Sequence, residues 1–222
     1  MSNGKDTLHV GLLVDETGSM SGSEPHVVGG INEFVAQLAA DQNGTKVLAT
    51  LAMFDLHGND PVVRVKFDDI PIAEVDTLGP GDYSPRGATP LNDAVVRTIR
   101  SMDKRVKKGH RAMLVILTDG FENASETAGS DVRKLIHSRE KRGWEFIYLG
   151  ANQDAWAESQ KIGLAQPGKS FDFAGSPQGT RAALRASGGR AKRFRDEPAE
   201  YVAELETLDR RIGEDDEEVK RR

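Results

Sequence analysis

The stretch Leu8-His9-Val10-Gly11-Leu12-Leu13-Val14-Asp15-Glu16-Thr17-Gly18-Ser19-Met20 decides the fold. Its first part is short, apolar nearly throughout and closed by a polar loop, which describes a strand covered on both faces. Three further runs repeat the pattern: Val47–Phe54, Met113–Leu117 and Phe146–Leu149. Helical patterns lie between them. Ser23 can cap a helix that has Pro25 in its first turn and Val28, Ile31, Val35 and Leu38 along one face. A second helix begins at Pro90, with Leu91, Val95, Met102 and Val106 inward. A third spans about Ser130 to Arg142, with Val132, Leu135 and Ile136 inward, and Gly143 ends it.

One strand differs. Val63, Val65 and Phe67 alternate with Arg64, Lys66 and Asp68, so it has a wet face and belongs near a sheet edge. Only His57-Gly58-Asn59-Asp60 separates it from the preceding strand, too little for a parallel crossover, so the two form an antiparallel hairpin. Elsewhere strand and helix alternate. The fold class that follows is α/β: a doubly wound, mostly parallel sheet with one antiparallel edge strand and helices on both faces.

With 222 residues, 37% hydrophobic and 29% charged, the chain suits one substantial domain and a tail. A net charge of −5 argues against a nucleic-acid partner. The absence of cysteine excludes disulfides and thiolate metal sites. Met1–Asp6 lacks the apolar core of a signal peptide, and no apolar run approaches the roughly 20 residues that span a bilayer, so the expectation is a cytoplasmic protein. The domain is expected over 1–186, with its core at about 7–175. A charged tail follows over 187–222, separated by a break at Ser187-Gly188-Gly189. Before that break, Asp154–Ile162 reads as a short helix, Ser170–Phe173 as a last strand and Ser176–Ala186 as a further helix. From Arg190 onward there are nine basic and eleven acidic residues, yet Tyr201, Leu205, Leu208 and Ile212 recur at helical spacing, which suggests a short amphipathic helix over 198–212.

Three loops carry the chemistry. Asp15, Thr17 and Ser19 alternate in the loop that leaves the first buried strand. Thr118-Asp119-Gly120 follows another buried strand, and Gly87-Ala88-Thr89-Pro90 places a hydroxyl at a helix entrance. If the first strand and Met113–Leu117 flank the point where strand order reverses, all three loops meet beyond the strands' carboxyl ends. A shell made only of oxygens suits a hard cation such as Mg²⁺, Mn²⁺ or Ca²⁺.

In these residues the sequence resembles the von Willebrand factor A family. That family's site is Asp-x-Ser/Thr-x-Ser, then a Thr in a glycine-containing loop opening a helix, then an Asp after the next central strand. This chain has Asp15-Glu16-Thr17-Gly18-Ser19, Thr89 and Asp119 in that order, within a resemblance covering roughly Leu8 to Phe173. The resemblance implies a Rossmann-like fold and one divalent cation, Mg²⁺ foremost, touched by the hydroxyls of Thr17, Ser19 and Thr89. Asp15 and Asp119 would hold waters and hydroxyls around it. It implies a non-enzymatic protein-binding module in which a partner's Asp or Glu completes the metal's coordination. It also points to the stand-alone bacterial or phage members, while the charge and the lack of a long apolar run add the expectation of no nucleic acid and no membrane.

Rival patterns are weaker. Gly163-Leu164-Ala165-Gln166-Pro167-Gly168-Lys169-Ser170 matches a phosphate-binding loop, but a polar helix precedes it and a strand follows. A haloacid dehalogenase-like phosphatase would need a general acid where Thr17 stands. The basic cluster Arg181, Arg185, Arg190, Lys192, Arg193 and Arg195 reads as solvated or partner-facing. Glu16 is expected at the surface, pointing away from the ion. Asp55, Met20, Tyr83, Glu122 and Asn123 are candidates for the rim, and His9, His26, His57, His110 and His137 show no ligand spacing.

Overall fold

Apolar runs too short for helices and too apolar for a wet face become neighbours in one sheet. The computed structural model describes residues 6–58, 60–151, 155–164, 168–205 and 207. Its strands are β1 (Thr7–Asp15), β2 (Lys46–His57), β3 (Asp60–Pro71), β4 (Arg111–Thr118), β5 (Trp144–Ala151) and β6 (Ser170–Phe173). The helices are α1 (Glu24–Ala39), α2 (Leu91–Asp103), α3 (Gly129–Glu140), α4 (Ala155–Ile162) and α5 (Pro177–Asp196). The sheet order is β3-β2-β1-β4-β5-β6, with β3 antiparallel to β2 and every other pair parallel. The alternating strand is therefore at an edge, as its wet face requires.

Alternation along the central strands divides the core between the two faces. Leu8, Val10, Leu12 and Val14 of β1 pack with α1 residues Val27, Ile31, Phe34 and Leu38 and with Leu184 and Phe194 of α5. Leu13 faces the other way, with Val95, Ile99 and Met102 of α2 and Val132 and Ile136 of α3. On α1 the fully buried stripe is Val27-Ile31-Phe34-Leu38, with Val28 and Val35 half-buried beside it.

The expected break at Ser187-Gly188-Gly189 does not occur: α5 runs through it. The reason is packing against α1. A Cβ at Gly188 would lie 3.2 Å from the Phe34 Cα, so the small residues are what allow the two helices to approach. Ser187 is buried, and its hydroxyl bonds back to the Leu184 carbonyl within the helix. Residues 198–205 are also helical, and Tyr201 and Leu205 join the core. Leu208 and Ile212 lie outside the described residues, as do Asn59, Asp154 and Ala165-Gln166-Pro167.

The basic cluster is largely consumed within the fold. Arg195 is fully buried and donates to the carbonyls of Leu38, Ala40 and Asp41, which end α1. Arg181 pairs with Glu33, Arg193 with Glu204, and Arg190 lies over the Phe171 ring. The phosphate-loop pattern loses its context as well. Ser170 opens a strand, and Lys169 is buried in an ion pair with Glu140.

Candidate metal centre

Register fixes where the loops leave the sheet. Asp15 ends β1 opposite Phe54, and Val14 pairs with Leu117 of β4. Strand order reverses between β1 and β4, so their loops diverge and open a crevice. Asp15 is fully buried there. Its Oδ1 accepts the Thr17 backbone N–H at 2.8 Å, and its Oδ2 accepts the Thr118 hydroxyl at 2.6 Å. Burial outweighs these bonds and pushes its pKa up to about 6.

Around it the oxygens form a chain. The Ser19 hydroxyl donates to Asp119 Oδ1 at 2.6 Å, Ser19 Oγ lies 3.2 Å from Thr17 Oγ1, and Thr89 Oγ1 lies 3.3 Å from Thr17 Oγ1. All five residues singled out from the sequence are thus brought together. Thr17 and Thr89 are buried, whereas Ser19 and Asp119 reach the surface, so the cluster opens outward on one side. A Cβ at Gly120 would lie 3.1 Å from Thr89 Oγ1 and 3.7 Å from Ser19 Oγ, so the missing side chain keeps the opening clear. Burial raises the Asp119 pKa also.

Neighbouring carboxylates have cations of their own. Glu16, expected at the surface, is buried: Arg64 donates to both its oxygens and the Ser84 backbone N–H to one. Asp55 is buried against Arg86. Among the described residues no basic side chain pairs with Asp15 or Asp119. Nor do any three His, Cys, Asp or Glu side chains there converge as a metal cluster, so a cation at this site would depend on the three hydroxyls. The residues fit such an ion: two carboxylates without counter-charge, and a Ser19 hydroxyl that donates to Asp119 and accepts from Thr17, leaving one lone pair free.

Thr89 is held by neighbours. Gly87 has φ +72°, and a Cβ there would fall 2.0 Å from the Leu56 carbonyl oxygen, so only glycine lets this loop lie against the end of β2. Leu56 N–H then bonds to the Ala88 carbonyl, and Gly18 N–H to that of Gly87. Thr89 does not cap α2 with its side chain. Its own N–H is accepted by Asn123 Oδ1, and its carbonyl accepts the Asn123 N–H. The first N–H groups of α2 are met from the same loop: Glu122 accepts from Asn92, and Ser125 Oγ from Asp93. In return the Asp93 carboxylate accepts the N–H groups of Glu126 and Thr127.

Residues 9–178 of the chain match the family model of the von Willebrand factor type A domain. The chain belongs to that family. Domains of this kind typically mediate protein–protein interaction. No curated protein sequence matches the chain significantly. Among solved structures, a pilus adhesin, SpaC from Lactobacillus rhamnosus GG, has a TM-score of 0.61 at 15% identity, covering 86% of this chain and 31% of its own. Proximal thread matrix protein 1 of the mussel byssus has a TM-score of 0.59 at 15% identity, covering 82% and 47%. The vWA domain of SpRpn10 has a TM-score of 0.52 at 14% identity, covering 79% and 93%. At these identities the likeness concerns the fold. The chain spans less than half the length of the mussel and pilus proteins.

The expected rim changes. Met20 and Tyr83 are buried, and the Tyr83 hydroxyl donates to the Asp15 carbonyl from beneath. Glu122 and Asn123 turn inward to α2 and Thr89. Phe121, two residues after Asp119, is a large hydrophobic side chain at 55% exposure, with no distinguishing signal in the sequence. No described helix is long and apolar enough to cross a membrane.

Proposed function

We propose that this vWA domain is a metal-dependent, non-enzymatic protein-binding module. Thr17, Ser19 and Thr89 would hold one divalent cation, Mg²⁺ foremost, with Asp15 and Asp119 supplying its counter-charge. The partner is a protein that presents an Asp or Glu carboxylate. One observation carries the reading: Asp15 is fully buried with no basic partner among the described residues, while nearby Glu16 and Asp55 each have an arginine. An uncompensated buried carboxylate is costly, and a dication among hydroxyls offsets that cost.

When bound, the cation supplies a Lewis-acidic point that a carboxylate from outside can occupy. The chain's own part is orientation. Asn123 fixes the Thr89 backbone, Thr118 and the Thr17 N–H fix Asp15, and Ser19 fixes Asp119. Thr17 stands where a phosphatase of the haloacid dehalogenase type would need a carboxylic acid to protonate the leaving group.

The test is thermal unfolding in EDTA and in graded Mg²⁺, Mn²⁺ and Ca²⁺. The wild type gains stability with cation in a saturable way, and Thr89→Ala and Asp119→Ala lose that gain while remaining folded in EDTA. Equal cation response in both variants refutes the site. Hydrolysis of phosphate esters that Asp15→Asn abolishes refutes the non-enzymatic reading.

A further inference from the structure

The sheet has a second pole, at the amino ends of β4 and β5, one strand length of roughly 26 Å from the candidate metal centre. There the turn from α2 into β4 meets the turn from α3 into β5. Segments 103–111 and 139–142 carry eight Lys or Arg residues against two acidic ones, in a chain whose net charge is −5. Between the turns lies a cavity of about 230 Å³, floored by Val106 and Trp144 and walled by Lys107, Lys108, His110 and Arg142. None of the residues lining it is acidic.

The ion pairs at this pole leave a surplus of positive charge. Asp103 is shared by Arg139 and Arg142, Glu140 is taken by Lys169, Asp68 by Arg105 and Asp6 by Arg111. Lys107 and Lys108 are exposed and have no ion-pair partner among the described residues. Trp144 Nε1 and Arg139 Nε, like Glu145 Oε2 on the next residue of β5, are buried without a hydrogen-bond partner and do not open into the cavity.

His110 is fixed in orientation. Its Nδ1 lies 2.9 Å from His9 Nε2, and His9 Nδ1 lies 2.7 Å from Asp69 Oδ1. The Asp69 carboxylate only accepts, so His9 Nδ1 donates to it, and a neutral His9 then accepts from His110 Nδ1. The His110 ring is therefore held as part of the cavity wall instead of swinging free.

We propose that this cavity binds a phosphate group, free or as the monoester of a small molecule. A phosphate dianion offers several acceptor oxygens, the complement of the donors that Lys107, Lys108 and Arg142 bring to the wall. A carboxylate brings one charge and two oxygens and leaves more of the wall unmatched. The volume lies below the usual range of roughly 300–1,000 Å³ for drug-sized ligands, so the carrier is small and rests on Val106 and Trp144. The inference is independent of the metal centre.

Trp144 is also the reporter. The chain has two tryptophans, so Trp156→Phe leaves Trp144 as the sole indole. In EDTA and at constant ionic strength, inorganic phosphate and β-glycerophosphate are titrated separately against its emission, with chloride as control. A saturable change is expected, and Lys107→Gln/Lys108→Gln weakens it by about tenfold or more. Thr89→Ala leaves it unaltered, because that residue belongs to the other pole. Saturation by inorganic phosphate alone identifies free phosphate as the occupant; saturation by both admits a phosphorylated molecule. A response that chloride reproduces, that never saturates, or that survives the double lysine substitution unchanged overturns the proposal.

Discussion

Replacing Asp15 by asparagine tests the charge argument directly. In metal-free protein, burial raises the Asp15 pKa from 3.8 to about 6. Each pH unit between the two corresponds to about 1.4 kcal/mol, so the folded state loses about 3 kcal/mol as Asp15 ionises. The sign follows from the shift. The folded pKa lies above the unfolded one, so the contribution is fully present below 3.8 and is lost as pH rises through 6. The substituted amide never ionises and keeps the local bonds. Its oxygen accepts from the Thr17 N–H, and its NH₂ donates to Thr118 Oγ1, whose hydroxyl turns to the Gly120 carbonyl at 3.1 Å. Urea unfolding in EDTA should show Asp15→Asn gaining on wild type by about 3 kcal/mol between pH 4 and pH 8, roughly 6–12 °C in Tm for a domain of this size. Saturating Mg²⁺ at pH 8 then stabilises wild type, by about 2.7 kcal/mol at a hundred times Kd, and leaves the variant unmoved. A pH-independent difference, or a variant that loses ground as pH rises, refutes the reasoning.

His9 titrates with the opposite sign. Burial lowers its pKa below 6.5 despite the Asp69 carboxylate, so its contribution is present above 6.5 and is lost as pH falls; wild type should lose stability relative to His9→Gln between pH 7.5 and 5.5, read by urea unfolding. Truncation after Ala186 removes Ala191, Phe194, Tyr201 and Leu205 from the core and the Arg195 bonds from the end of α1. At roughly 1.5–3 kcal/mol for each large apolar side chain, the loss rivals a whole domain's stability, so the truncated chain should lack a cooperative thermal transition. A sharp transition near the wild-type Tm would show the end of α5 to be dispensable.

The parallel sheet and its edge strand were legible because short apolar runs and one alternating run carry the signal locally. The five clustered residues were legible because each sits at the end of a strand or the entrance to a helix, where strand order makes loops converge. The misreadings have one physical cause, contacts between residues distant in sequence. Glu16 lies in an exposed-looking loop, yet Arg64 from β3 and the Ser84 N–H bury it. Ser187-Gly188-Gly189 has the composition of a break, but only the opposing surface of α1 shows that small residues are needed there. Arg195 looks like part of a charged tail until the carbonyls ending α1 claim it. Thr118 has no local mark that sets it apart from the strand it ends, although its hydroxyl lies 2.6 Å from Asp15 Oδ2.

The residue that ties the site to the fold is Glu122. Helix α2 begins just beyond Thr89, and its free N–H groups make that end positive, which opposes a dication nearby. Glu122 counters this in two ways. Its Oε2 accepts the Asn92 N–H at 2.7 Å, and its Oε1 accepts those of Ala124 and Ser125 at 2.9 and 2.7 Å. It thus neutralises the helix end and pins the loop that carries Asp119 and Asn123. The two effects separate by substitution. Glu122→Gln keeps an acceptor but removes the charge, worth about 0.3–1 kcal/mol at a helix N-terminus, or roughly a two- to fivefold weaker cation Kd. Glu122→Ala also frees the loop and leaves buried donors unmet at about 1–3 kcal/mol, so its Kd should rise by roughly tenfold or more. Calorimetric titration with Mg²⁺ ranks wild type, Glu122→Gln and Glu122→Ala in that order. If Glu122→Ala binds as wild type does, while Thr89→Ala does not bind, the ion is held without help from this loop and the coupling between α2 and the site is wrong.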